Sequence, residues 1–68
     1  MAITIRLNGD SHPLTAPLAV EALLRELGLD PRMVAVERNR DVVKRADYGR
    51  VEITDGDEIE IVAFVGGG

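Results

Sequence analysis

The last eleven residues, EIEIVAFVGGG at positions 58–68, join a strong strand pattern to three glycines. From Glu58 to Val65 the residues alternate as in a strand that buries one face. One face carries Ile59, Ile61 and Ala63, and the other carries Glu58, Glu60, Val62 and Phe64. Glycine has no Cβ and loses the most conformational entropy on ordering, so the final glycines add no stability to a small domain. The pattern predicts a strand followed by a flexible tail, residues 66–68.

The glycine tail offers a thin segment that carries the α-carboxylate of Gly68. Fully extended, three residues reach roughly 10 Å beyond the strand. A segment without side chains can enter a slot too narrow for any other residue. We therefore expect the carboxylate of Gly68 to be the functional group, with Gly66 and Gly67 entering the active site of a partner. The alternative is a terminus without a role, either naturally disordered or left by cloning.

The middle of the chain predicts one helix. An apolar stripe recurs at i, i+3, i+4 and i+7 through Val20, Leu23, Leu24 and Leu27. Gly28 follows as a left-handed C-terminal residue, and Asp30-Pro31 prevents continuation.

The sequence leaves the start of this helix open. Thr15 can cap a helix that begins at Ala16 or Pro17. Alternatively, the helix begins later, near Leu18, where no good capping side chain is present.

Strands are predicted on both sides of the helix. Ile3–Leu7 alternates apolar and polar residues, and the Asn8-Gly9 turn leads into an edge strand at residues 11–15 that contains Pro13. Further along, the predicted extended segments are Met33–Glu37, a short Val42–Val43 and a brief Val51–Ile53. Lys44–Arg50 is irregular and polar, and Asp55-Gly56-Asp57 is a turn before the last strand.

The resulting order, β-β-α-β-(β)-β, predicts an α+β fold of the β-grasp (ubiquitin-like) type. We expect a mixed sheet of four to five strands, with one main helix on one face and the first and last strands side by side at its centre. Residues 1–65 form one domain in this prediction, and 66–68 form the tail. The predicted core consists of Ile3, Ile5, Leu23, Leu24, Leu27, Val36, Ile59 and Ile61.

Composition excludes several function classes. The 68 residues contain no cysteine, which removes disulfides, thiol nucleophiles and cysteine-based zinc sites. The net charge of −4 argues against nucleic-acid binding. It fits either docking onto a basic protein surface or simple solubility. The absence of a long apolar segment or secretory signal makes a cytoplasmic protein without membrane association the default expectation.

No catalytic or metal-binding pattern is evident. His12 is the only histidine and is flanked by Pro13 in a turn-like segment, with no nucleophile nearby in sequence. The acidic residues Asp55, Asp57, Glu58 and Glu60 lack the spacing of a calcium-binding loop, so we interpret them as turn and solvent-facing residues. The glycines at 66–68 precede neither a helix nor the lysine of a phosphate-binding loop. We therefore expect no bound cofactor or metal and no catalysis by this chain alone.

Four segments together resemble the ThiS family of sulfur carriers, which serve thiamin thiazole synthesis. They are LLRELGL at 23–29, VAVERN at 34–39, DGDEIEIV at 55–62 and FVGGG at 64–68. The resemblance covers essentially the whole chain. One departure is Lys44, where the family often has proline after the Val42-Val43 pair. The di-glycine end alone is also shared with the small subunit of molybdopterin synthase and with other sulfur carriers.

The resemblance implies a protein co-substrate and not an enzyme. An ionised C-terminal carboxylate, with a pKa of about 3.3–3.7, is a poor acyl donor and must be activated. In the family, a ThiF-type adenylating enzyme uses Mg-ATP to adenylate the terminal glycine, here Gly68. A sulfur donor such as a cysteine desulfurase then supplies sulfur, and a thiocarboxylate forms. A ThiG-type thiazole synthase receives that sulfur.

The last strand also predicts a docking surface. If Ile59 and Ile61 face the helix, then Val62 and Phe64 face away from it, beside Val65 at the root of the tail. Exposed apolar residues next to a functional tail favour a contact with a partner. The alternative is that a loop such as Lys44–Arg50 covers them.

Two other function classes stay open. One is a sulfur carrier for molybdopterin or tRNA thiolation, or a ubiquitin-like modifier of proteins, each with the same tail chemistry. The other is a plain interaction module that uses a sheet edge, in which the glycines have no role.

Overall fold

The computed structural model describes residues 1–64 and has seven strands, one α-helix and two 3₁₀ turns. The 3₁₀ turns are Pro31–Met33 and Arg45–Asp47. The α-helix and strands are β1 (Ile3–Leu7), β2 (Asp10–Leu14), β3 (Leu18–Ala19), α1 (Val20–Glu26), β4 (Val34–Arg38), β5 (Asp41–Val43), β6 (Glu52–Ile53) and β7 (Glu58–Ala63).

The main sheet has five strands in the order β2-β1-β7-β4-β5. β1 lies parallel to β7, whereas β4 runs antiparallel to β7 from Val34 opposite Ala63 to Arg38 opposite Ile59. The first and last strands therefore lie side by side at the centre, as predicted. With one helix packed on one face of this mixed sheet, the predicted β-grasp fold is confirmed. Val65, placed at the end of the last strand by the sequence pattern, lies outside the described residues, as do the glycines.

Helix α1 begins at Val20 without a capping side chain, so the alternative in which Thr15 caps it is wrong. Leu18 and Ala19 instead pair with β6 as a short strand. The first amides of the helix find backbone partners in the loop before β6: Val20 donates to the Val51 carbonyl at 3.0 Å and Glu21 to the Tyr48 carbonyl at 2.8 Å. These bonds satisfy amides that a capping side chain otherwise serves. The helix ends as predicted, with Gly28 at φ +73°.

The core lies between the helix and the sheet and is larger than the sequence pattern predicts. The residues predicted correctly as buried are Ile3, Ile5, Leu23, Leu24, Val36 and Ile59, while Leu27 and Ile61 are half-buried at its edge. The additional buried residues are Leu14, Val20, Val34, Val43, Tyr48 and Ile53. Ala63, expected on the buried face of β7, is exposed because it lies at the end of the strand. The sequence pattern did not predict the burial of Tyr48, because the residues around it in the chain are polar.

Asp57 is buried, with 7% of its surface exposed, which corrects its interpretation as a solvent-facing turn residue. Its carboxylate accepts hydrogen bonds from Arg38 Nε at 2.8 Å, the Thr54 amide at 2.9 Å and Asn39 Nδ2 at 3.1 Å. The Asp57 carbonyl accepts from the Arg6 amide at 2.9 Å. One residue thus connects β1, the end of β4 and the turn that starts β7.

Burial alone raises the pKa of Asp57, because the charged form loses solvent. The hydrogen bonds from Arg38, the Thr54 amide and Asn39 stabilise the carboxylate and outweigh burial, so they hold its pKa below the ordinary value. The ionised form is therefore the one that the fold prefers.

Leu24→Ala should lower the free energy of unfolding by about 2–5 kcal/mol, because it leaves a cavity in the core. Leu24 is fully buried, with 0% exposed. In a domain of this size such a loss can unfold most of the population. Leu27→Ala is the matched control and should cost less, because Leu27 is only half-buried. Thermal unfolding measures both, and a wild-type melting curve for Leu24→Ala would contradict the placement of the core.

Asp57→Asn should lower the free energy of unfolding by about 1–3 kcal/mol at pH 7. Because the folded pKa of Asp57 is lowered, its contribution is complete above the unfolded pKa of about 3.9 and is lost as the pH falls through the folded pKa. The difference between variant and wild type should therefore shrink in acid. Urea unfolding at pH 7 and near pH 3 measures it, with Asp10→Asn, an exposed aspartate, as the control. A gap that persists unchanged in acid would contradict this assignment.

Candidate functional site

The face of the sheet opposite the helix exposes apolar side chains of β7. Val62 is 61% exposed and Phe64, which follows the strand, is 55% exposed. The alternative in which the 44–50 segment covers them is wrong, because both side chains are exposed. Tyr48, the aromatic residue of that segment, is instead buried in the core. The sequence pattern was therefore right about which residues of the last strand face outward.

The neighbouring strand extends this apolar surface. Ala35 of β4 lies opposite Val62 and is exposed. The Phe64 amide donates to the Met33 carbonyl at 2.8 Å, and Met33 is 49% exposed. Met33, Ala35, Val62 and Phe64 together form what we call the outer apolar patch.

Met33 and Ala35 were not predicted as part of this patch. Their segment is apolar at four successive positions, 33–36, so the sequence alone does not separate its buried face from its exposed face. The signal that distinguishes the faces is the period of two: Val34 and Val36 are buried, and the residues between and before them are exposed. A continuous apolar run hides that alternation.

The predicted tail follows the patch directly in sequence. Phe64 is the last described residue, and Val65, Gly66, Gly67 and Gly68 come next, outside the described part of the chain. The expected roles of these four residues therefore stay predictions. The described residue closest to them in sequence is the exposed aromatic of the patch.

The described residues offer little for chemistry of their own. Within residues 1–64, no cluster of histidine and acidic side chains is arranged to hold a metal ion. A cavity of about 250 Å³ lies beside β5 and is bordered by both cations and carboxylates, namely Arg38, Lys44, Asp41 and Asp47.

His12 is half-buried in β2. Across residues 1–64 there is also no helix with the length and apolar character needed to span a membrane.

Comparison with known proteins points to one family. The family model that matches is that of the ThiS family, and it covers residues 5–68 of this chain. A sulfur carrier protein ThiS from Bacillus subtilis is 45% identical over 49 residues, which are 72% of this chain and 74% of that protein. The crystal structure of the thiamine biosynthesis protein ThiS from Geobacter metallireducens superposes with a TM-score of 0.84 at 30% identity, covering 97% of this chain and 100% of that one.

A longer relative is also similar. A thiazole synthase from Paramagnetospirillum magneticum is 53% identical over 62 residues, which are 91% of this chain but only 19% of that protein. The chain thus spans about a fifth of the length of this relative. The remainder of that protein has no counterpart in the sequence described here.

Proposed function

The chain belongs to the ThiS family, and we propose that it carries sulfur for thiamin thiazole synthesis on the α-carboxyl group of Gly68. The observation that supports this most is that the family match, over residues 5–68, includes the glycines at 66–68. The similarity to a Bacillus subtilis sulfur carrier and the shared fold support the carrier class. In this proposal residues 1–65 are the recognition domain and 66–68 are the reactive tail.

The chemistry begins with activation of the carboxylate. A Gly68 carboxylate oxygen attacks the α-phosphorus of ATP, supplied with Mg²⁺ in the active site of an adenylating partner of the ThiF type, and pyrophosphate leaves. The acyl-adenylate is then attacked by the terminal sulfur of a persulfide, such as that of a cysteine desulfurase, and AMP leaves. A thiol reduces the resulting acyl disulfide, which leaves a thiocarboxylate on Gly68. None of these three steps uses a side chain of this chain.

The contribution of this chain is therefore positioning, and it is a co-substrate and not an enzyme. Adenylation requires the carboxylate to lie in line with the α-phosphate, and a misplacement of about 1 Å can cost a hundredfold in rate. The outer apolar patch, with Val62 and Phe64 at its centre and Val65 next in sequence, is proposed to dock on the partner. Docking fixes the root of the tail, and Gly66 and Gly67 extend to the reaction centre.

The receiving partner is proposed to be a thiazole synthase of the ThiG type. This proposal is supported by the similarity between this chain and part of the Paramagnetospirillum magneticum thiazole synthase. Sulfur transfer to such a partner returns the carrier to its carboxylate form. A cytoplasmic location, where ATP is available to the activating enzyme, stays a prediction.

The other classes share some of this support. A carrier for molybdopterin or tRNA thiolation, or a ubiquitin-like modifier, has the same tail chemistry and differs only in the acceptor. A plain interaction module uses a sheet edge and has no need of the tail. The effect of a C-terminal extension distinguishes the module from the carrier.

Wild-type protein ending at Gly68 should support ATP–pyrophosphate exchange by the adenylating enzyme. With a sulfur donor, its intact mass should then change by the difference between sulfur and oxygen. Deletion of Gly68 withdraws the carboxylate by about 3.5 Å, an added C-terminal serine blocks the reactive group in a peptide bond, and Gly67→Val introduces a branched side chain into the slot. All three variants should lose exchange.

All three tail variants leave residues 1–65 unchanged. Their circular dichroism spectra and melting curves should therefore match those of the wild type. That measurement is the control for misfolding. Near-normal exchange by the extended variant would overturn the carrier proposal and favour the interaction module. Exchange without a sulfur-dependent mass change would favour a ubiquitin-like modifier.

Phe64→Ala should weaken binding to the adenylating enzyme by about 2 kcal/mol or more, or roughly thirtyfold, because buried interface aromatics dominate binding energies. The fold should be retained, because the side chain is exposed in the free protein. Thr15→Ala is the control, because Thr15 is exposed in the loop between β2 and β3, outside the main sheet. Isothermal titration measures both, and an unchanged affinity for Phe64→Ala would remove the patch from the docking surface.

A further inference from the structure

Two carboxylates face each other on the outer face of the sheet. Glu37 of β4 and Glu60 of β7 are directly opposite in the antiparallel register, one step along the same face from the Ala35–Val62 pair. Both side chains are exposed. Opposite residues in such a ladder have Cβ atoms about 4.5–5.5 Å apart, and like charges in this position destabilise the sheet.

Neither glutamate takes part in the ion pairs of residues 1–64. In residues 1–64, the ion pairs on and near this face use Arg40 with Glu58 at 3.7 Å and Arg38 with the buried Asp57. The directly flanking positions are neutral: Val42 lies opposite Glu37 on β5, and the Asn8 side chain hydrogen-bonds to the backbone of Ile61 beside Glu60. Two cations lie two residues further along the flanking strands, namely Lys44 after Val42, and Arg6, whose guanidinium donates to the Gly9 carbonyl. No direct ion pair within residues 1–64 therefore cancels the repulsion between the two carboxylates.

The opposed carboxylates continue the outer apolar patch and do not stand alone. Along β7, Glu60 is followed on the same face by Val62 and then by Phe64. Two residues of strand span about 6.8 Å, so the carboxylates lie that far from the centre of the patch. A partner that covers the patch must also cover, or approach, the two glutamates.

We propose that Glu37 and Glu60 together receive one arginine side chain of the partner that docks on the outer apolar patch. The proposal rests on the docking role described under Proposed function and adds the chemistry of the partner surface. A guanidinium group is planar and presents a fork of donors, so it can bond both carboxylates at once and relieve their repulsion. The partner surface then has an arginine about 7 Å from an apolar pocket.

Other occupants of this face fit less well. A second copy of this chain, related by a two-fold axis through the face, would place carboxylates against carboxylates. A divalent cation such as Ca²⁺ takes six to eight oxygen ligands, and two exposed side chains supply too few. An anionic membrane surface or nucleic acid would be repelled by the same pair.

The test compares a double variant, Glu37→Gln with Glu60→Gln, with wild type. Titration against the adenylating enzyme at low salt should show affinity reduced about fivefold or more, with a shallower dependence on salt. The free variant should melt about 2–4 °C higher than wild type, because the repulsion is gone. Weaker binding by a more stable domain separates a docking role from damage to the fold.

Glu26→Gln with Glu52→Gln is the matched control. It removes the same net charge from two exposed glutamates, one on the helix and one on β6. Its affinity should stay close to wild type. An equal loss in the control would show a general charge effect and overturn the proposal.

Three further outcomes are decisive. Wild-type affinity of the Glu37→Gln/Glu60→Gln variant, while the wild type supports pyrophosphate exchange, would overturn this inference and leave the carrier function standing. Failure of the wild type to bind or to be adenylated would overturn both. Sedimentation of the free wild type as a dimer that the glutamine variant strengthens would assign the face to a second copy and overturn the arginine proposal.

Discussion

The buried carboxylate of Asp57 is the interaction on which the placement of β7 depends. The carboxylate accepts hydrogen bonds from Arg38, Asn39 and the Thr54 amide. The backbone carbonyl of Asp57 also accepts a hydrogen bond from the Arg6 amide. β7 is thereby fixed to β4 on one side and to β1 on the other at the point where it begins. Burying a charged group costs free energy unless hydrogen bonds from neighbouring donors satisfy it. Loss of any one of these donors should therefore destabilise the fold. The residues that precede the tail therefore belong to a strand whose position at the centre of the sheet is fixed by these bonds.

The same strand serves stability with one face and, under the proposed function, recognition with the other. Ile59 is buried against the helix side, whereas Val62 and Phe64 remain exposed on the opposite face. A domain of this size has few elements, and it cannot enclose a substrate pocket while keeping a core. It can, however, present a sheet face and a tail at no cost to that core. Under the proposed function, substitutions on the outer face are therefore expected to change binding without unfolding the protein.

Sequence periodicity predicted the main elements because each buries a regular stripe: β1 and β7 with a period of two, and α1 through Leu23 and Leu24. It missed features set by long-range contacts. The helix start depends on carbonyls of Tyr48 and Val51, more than twenty residues away in the chain. Asp57 resembles any turn aspartate until Arg38 and Asn39 are placed beside it. The exposed face of the last strand was predicted, but its partners Met33 and Ala35 require knowledge of the β4–β7 register.

The opposed glutamates and the outer apolar patch suit a protein that must bind and leave more than one partner. Charge complementarity raises association rates more than it raises affinity, and an exposed apolar patch of four residues limits how tightly any partner is held. If the adenylating enzyme and the thiazole synthase of the proposed function dock on the same face, each must also release it. The repulsion between Glu37 and Glu60 is then a feature of the free carrier that each partner relieves with its own arginine. Recognition by successive enzymes therefore requires only that they share this spacing of cation and apolar pocket, and not that they share a fold.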